Sequence, residues 1–268
     1  NNSTVLPLVS TPLFLLSNYG KLFSKILNTN EEKEDKRLHK THMHMMSLVL
    51  CYTAAYYAVN SIEMTVPTSL TYPDEELYIV LDAGHGGDDP GKMGINGSRE
   101  KDINLAITQK VKAYLEANDI KVVLTREGDE GLYDAGAENK KVQDMKRRIE
   151  IMEEAQPLAV VSIHQNSYPE EYVKGAQVFY HKDSKEGEQL AALLQEQLRL
   201  KLNPENHRQI KANDSYYLLK KTQIPTVIVE CGFLSNSKEA ALLTEEEYQD
   251  RVAWAIHMGI LQYLNNQK

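Results

Sequence analysis

From Leu77 onward the apolar positions keep changing period: short runs of consecutive apolar residues alternate with longer stretches in which they recur every three or four positions. YIVLDA (78–83), KVVLTR (121–126), AVVSIH (159–164), AQVFYH (176–181) and TVIVE (226–230) are rich in β-branched residues and of strand length. Between them lie helix-period stretches. One carries Ile103, Ile107, Val111, Tyr114 and Leu115 on one face; a second carries Met145, Ile149 and Met152; a third carries Leu190, Leu193, Leu194 and Leu198. The last follows Thr244 and places Tyr248, Val252, Ile256, Gly259 and Tyr263 at helical spacing. This alternation predicts an α/β fold, a single domain with a mostly parallel, twisted mixed sheet flanked by helices on both faces.

The first 76 residues read differently. EEKEDKRLHK (31–40) is a solvated charged run, and residues 41–62 then contain no Asp, Glu, Lys or Arg. A positive flank (Lys36, Arg37, Lys40) followed by an apolar span at about 43–62 is the order of a signal or membrane anchor, and the uncharged stretch just reaches the ~20 residues that cross a bilayer. Three tyrosines, Thr53 and Asn60 temper its apolarity, so an amphipathic helix lying on the main domain stays open as the alternative. Pro67 and Pro73 mark a linker. The expected organisation is an N-terminal segment, 1–76, and a main domain, 77–268.

Composition narrows the function classes. The chain of 268 residues is 42% hydrophobic and 25% charged, with a net charge of −8. Residues 1–73 carry six basic against five acidic residues, so the acidic excess lies in the main domain. Without a cluster of Lys and Arg to neutralise phosphates, a duplex nucleic-acid partner is excluded. Two cysteines, Cys51 and Cys231, form no disulfide framework, and a core of this size needs none.

In open α/β sheets ligands collect at the carboxyl ends of strands, so the residues just after each strand carry the chemistry. The first predicted strand ends in Asp82-Ala-Gly-His85-Gly-Gly, the third in Ser162-Ile-His164-Gln-Asn166, and the fifth in Glu230-Cys-Gly-Phe. Glu100 opens the helix after the first loop, with Ser98 in front of it as the expected cap. The glycine-rich loop from Gly84 to Gly97 must return to start that helix, which can carry Glu100 back beside His85. Two histidines and a carboxylate match a catalytic zinc site, where three protein ligands leave a fourth position for water. His39, His42 and His44 lie in a polar linker with no scaffold to fix a metal, and His181, His207 and His257 lack companion ligands. Cys231 reads as a small buried thiol.

These segments resemble the zinc-dependent N-acetylmuramoyl-L-alanine amidases of the third amidase type. LDAGHGGDDPG (81–91) is similar to the family's first-ligand loop, REKDINL (99–105) to its glutamate segment, SIHQN (162–166) to its second-histidine strand and IPTVIVECGFLSN (224–236) to its catalytic-glutamate strand. The tail EEYQDRVAWAIHMGILQYL resembles the germination-specific members from spore formers. Ala83 stands where the family often has proline, and the span between Tyr180 and Tyr217 is too short for the autoinhibitory helix of some division amidases. The resemblance implies hydrolysis of the amide between N-acetylmuramic acid and L-alanine in peptidoglycan. It further implies a role in spore cortex maturation, through muramic-lactam formation, and in germination, by an exported or membrane-anchored protein facing the wall or cortex. It implies one zinc ion held by His85, Glu100 and His164, with Glu230 as catalytic base. Asn166, beside His164, is a candidate for orienting substrate, with a buried structural amide as the open alternative. An accessory protein is left unspecified. Two rivals remain at this point: a zinc peptidase of other wall peptides, and a non-catalytic wall-binding module.

Overall fold

The computed structural model describes residues 78–267, together with Ser47. The expected anchor at 43–62, the linker, Cys51 and the histidines at 39, 42 and 44 lie outside the described residues. Among the described residues no helix is long and apolar enough to cross a membrane.

Among the described residues six strands form one sheet: β1 (Tyr78–Ala83), β2 (Lys121–Leu124), β3 (Ala159–Asn166), β4 (Gln177–His181), β5 (Lys211–Asn213) and β6 (Thr226–Phe233). Their spatial order is β2-β1-β3-β6-β4-β5. All neighbouring pairs are parallel except β4 and β6, which run antiparallel. The helices are α1 (Glu100–Glu116), α2 (Lys140–Ala155), α3 (Lys185–Leu202), α4 (Tyr217–Lys221), α5 (Ser237–Leu242) and α6 (Glu246–Asn266).

Successive strand side chains point to opposite faces, and both faces are covered. Ile79, Leu81, Val161, Ile163 and Val229 join one core with Ile103, Ile107 and Val111 of α1, Leu190, Leu194 and Leu198 of α3, and Val252, Ile256 and Ile260 of α6. Val80 and Val160, one residue out of phase, pack with Ile149 and Met152 of α2 and Leu218 of α4. All eight residues of β6 are buried, which is why its sequence is apolar on both faces except for Thr226 and Glu230.

The strands differ from expectation at their ends, and the ends are where the site lies. KVVLTR leaves the ladder after Leu124, and Thr125 and Arg126 turn inward to bond the end of β1 instead. β3 and β6 run on past their expected ends, to Asn166 and Phe233, with an irregularity in their pairing between His164 and Asn166. The three-residue β5, α4 and α5 were too short to show a period.

Candidate metal centre and active site

The sheet order places β1, β3 and β6 side by side, so the three strand ends that carry His85, His164 and Glu230 are neighbours. His164 and Glu230 are register partners on one rung of the β3–β6 ladder. That proximity is a direct consequence of parallel pairing.

His85 reaches the same place by irregular backbone. It is left-handed, with φ 65°, a conformation that costs a residue with a Cβ about 1–3 kcal/mol and concentrates at functional sites. Its Nδ1 bonds Asp89 Oδ2 at 2.9 Å, which turns Nε2 toward Glu100. The chain then returns to α1 through carbonyls that cap the helix. The Glu100 N–H donates to the Lys92 carbonyl and the Lys101 N–H to the Pro90 carbonyl. Ser98 is therefore not the cap: its hydroxyl donates to Asn96 Oδ1, and Arg99 takes the cap position before α1 with no side-chain capping bond, because the loop backbone already satisfies the first donors.

Glu100 is 2% exposed and lies between the two imidazoles. Its Oε1 is 3.2 Å from His85 Nε2 and 3.0 Å from His164 Nδ1. The same oxygen accepts from the Gln165 N–H, and Oε2 accepts from the Lys92 N–H. Burial pushes the Glu100 carboxyl up, but hydrogen bonds from His164 and His85 outweigh it and hold the group far below the usual carboxylate range.

Among the described residues His85, Glu100 and His164 form a group able to hold a metal ion, with donor atoms within 4.8 Å of one another. Ligand distances of ~2.0 Å in a tetrahedral zinc site put donors ~3.3 Å apart, which the two measured separations match. Two glycines make the space. A Cβ on Gly84 would lie 2.2 Å from His164 Cε1, and one on Gly91 would lie 2.6 Å from Glu100 Oε2 and 2.7 Å from His85 Cδ2.

Glu230 stands apart from this donor set. It is 8% exposed, its Oε2 has no hydrogen-bond partner, and it lines a cleft of about 450 Å³ together with His85 and His164. Burial pushes its carboxyl up to about 7, against the pull of His164 and with the push of the Glu100 charge. A carboxyl so poised exchanges protons near neutrality. Met145 of α2 and Tyr216, Tyr217 and Leu218 at α4 wall the cleft, giving it apolar and aromatic surface beside the ionisable floor.

Asn166 is not brought into this group. It is half-buried at the end of β3, its Oδ1 accepts from the neighbouring Ser167 N–H, and it does not line the cleft. Cys231 is buried and free, with its thiol pushed well up by burial.

Several supporting residues escaped the sequence reading. Asp82, 2% exposed, pairs with Arg148 Nη1 at 2.6 Å and accepts from Ser162 and Thr125. Burial pushes its carboxyl up, but Arg148 and these hydroxyls together lower it to about 2. Arg148 also donates to the Ala83 and His85 carbonyls. Asn104 donates to the Gly84 carbonyl and accepts from Gln165. Asp82 gave a signal as a carboxylate inside an apolar strand; Arg126 ends the predicted strand 121–126, and Arg148 lies among the charged positions of the helix that carries Met145 and Ile149, where an arginine ordinarily faces solvent.

A family profile described as N-acetylmuramoyl-L-alanine amidase matches residues 79–262. The chain is 34% identical over 223 residues to the germination-specific N-acetylmuramoyl-L-alanine amidase of Bacillus subtilis, covering 82% of this chain and 92% of that protein. Its fold is similar to that of the CwlD amidase from Clostridioides difficile, solved in complex with the GerS lipoprotein, with TM-score 0.69 and 43% identity over 71% of this chain and 100% of that one. It is also similar to the amidase AmiC2 of Nostoc punctiforme, with TM-score 0.61 and 34% identity over 71% and 98% of the two chains.

Proposed function

The chain belongs to the N-acetylmuramoyl-L-alanine amidase family, and from that premise we propose that His85, Glu100 and His164 hold one zinc ion while Glu230 serves as the catalytic base. The observation that carries this is the division of labour between two buried glutamates. Glu100 is saturated by two imidazoles and backbone N–H groups, whereas Glu230 lines the cleft with an oxygen free to accept a proton.

When bound, zinc supplies a Lewis acid that polarises the scissile carbonyl and lowers the pKa of water. Glu230 takes a proton from the attacking water as the new C–O bond forms. It passes that proton to the nitrogen as the C–N bond breaks, so L-alanine leaves as a free amine and the muramic lactyl group as a carboxylate. Asp89 holds the His85 ring in the tautomer that presents Nε2 to the metal. Met145 and Tyr216 wall the cleft in which the reacting amide would lie. Asn166 remains a candidate for orienting substrate; for that role Asn166→Ala raises KM and leaves kcat unchanged.

The substrate is peptidoglycan, and its location in the spore cortex rests on likeness to a germination-specific amidase and to CwlD. In the same reading residues 77–268 are the catalytic domain, and 1–76 carry the export signal or membrane tether that brings it to the wall. The decisive experiment is Glu230→Gln assayed by amine release from muropeptides, with zinc content measured in parallel. Turnover should fall by roughly 10²- to 10⁴-fold with zinc retained. Unimpaired release would sink the assignment of the base, and mass spectrometry showing cleavage elsewhere in the stem peptide would sink the assignment of the bond.

A further inference from the structure

Arg126, two residues past the end of β2, is 2% exposed. Its four hydrogen bonds all end on backbone carbonyls. Nε donates to Ala83 at 2.9 Å, Nη1 to Gly128 at 2.6 Å, and Nη2 both to Gly84 at 3.2 Å and to Lys101 at 2.8 Å. Gly84 immediately precedes His85, and Lys101 immediately follows Glu100. A single guanidinium nitrogen thus ties the peptide in front of one candidate ligand to the peptide behind another.

The comparison with Arg148 sharpens the point. Arg148 is also buried and also bonds carbonyls of the His85 loop, but its charge is matched by Asp82 and Asp144 at 2.6 and 2.7 Å. Among the described residues no carboxylate is hydrogen-bonded to Arg126. Burying a cation without a direct counter-charge is unfavourable, and Ala83 and Gly84 already accept from Arg148 and Asn104, so what Arg126 alone adds is the tie between the Gly84 and Lys101 peptides. Only a planar fork with several fixed donors can reach Ala83, Gly84 and Lys101 together; an ammonium on a flexible stem cannot.

We infer that Arg126 is a positioning residue that sets the spacing between His85 and Glu100 and thereby the metal affinity of the site. It acts through the backbone on both sides of the ligands and touches neither metal nor substrate. The inference rests on the zinc reading above.

The test uses the full chain and Arg126→Lys, which keeps the charge and loses the fork, with Arg126→Met as a second variant. Zinc affinity is measured by chelator competition, ligand geometry by the visible spectrum of the cobalt-substituted protein, and fold integrity by metal-free melting. Arg126→Lys should melt near the wild type without metal, bind zinc roughly 10- to 100-fold more weakly, and show a shifted cobalt spectrum. Arg126→Met should bind no more tightly than Arg126→Lys. Wild-type zinc affinity in a folded Arg126→Lys would overturn the inference and leave the zinc reading standing. A collapse of metal-free melting in Arg126→Lys would also overturn it, since the role would then belong to the fold. If the wild-type chain binds no zinc, the zinc reading fails and this inference with it.

Discussion

His164 and Glu230 face each other across one rung of the β3–β6 ladder, whereas His85 and Glu100 come from a left-handed loop residue and a helix start with no ladder between them. The strand half needs little beyond the pairing of two apolar segments, because register alone brings the residues side by side. The loop half is held by side chains. Arg126 and Arg148 collect the carbonyls of 83–85, Asn104 donates a further bond to the Gly84 carbonyl, and Asp89 fixes the His85 ring. Irregular backbone carries polar groups that a ladder would have satisfied, and buried donors must do so instead. The buried polar residues Asp82, Asn104, Thr125, Arg126 and Arg148 therefore gather on the loop side.

Perturbations should separate the two halves. The largest effect is expected from Arg148→Met, which leaves Asp82 buried and unpaired and should destabilise the fold by about 3–5 kcal/mol in denaturant unfolding. A loss below 1 kcal/mol would mean the loop half holds itself. Gly84→Ala comes next, because its Cβ would lie 2.2 Å from the His164 ring, where the loop and strand halves meet. Zinc affinity should drop by roughly 10- to 100-fold, with a far smaller change in metal-free melting.

Acid provides the third comparison. Asp82 is lowered from 3.8 to about 2 on folding, so its share of stability is fully present above pH 4 and is lost as the pH falls from about 4 toward 2. That share is about 2 kcal/mol. Melting temperature should fall over this window in the wild type and fall less steeply in Asp82→Asn; equal slopes would refute the assignment. The smallest effect is expected at Lys140, whose 2.6 Å pair with Asp88 is solvent-exposed. Lys140→Ala should leave melting and zinc affinity unchanged.

Much of this was legible from order along the chain. Five of the six strands and the four long helices follow from the period of apolar residues, since burial on one or both faces imposes that period directly. The four residues of the candidate centre were legible because three sit at or just past the carboxyl ends of predicted strands, where a parallel sheet must gather them, and the fourth opens the next helix. Short elements such as β5 and α4 were not, because three to five residues complete too few repeats to register.

The sequence by itself determined the alternation of strand and helix, the covering of both sheet faces and the convergence of His85, Glu100, His164 and Glu230, because each depends on local pattern and on the direction of parallel strands. Only the tertiary structure decided that the loop backbone rather than Ser98 caps α1, that Asn166 Oδ1 accepts from the Ser167 N–H, and that Thr125 and Arg126 leave their strand to bind the end of β1. Those outcomes depend on which buried carbonyl lies within reach of which donor. Residues 43 positions apart, such as Ala83 and Arg126, meet only once the sheet has closed around them.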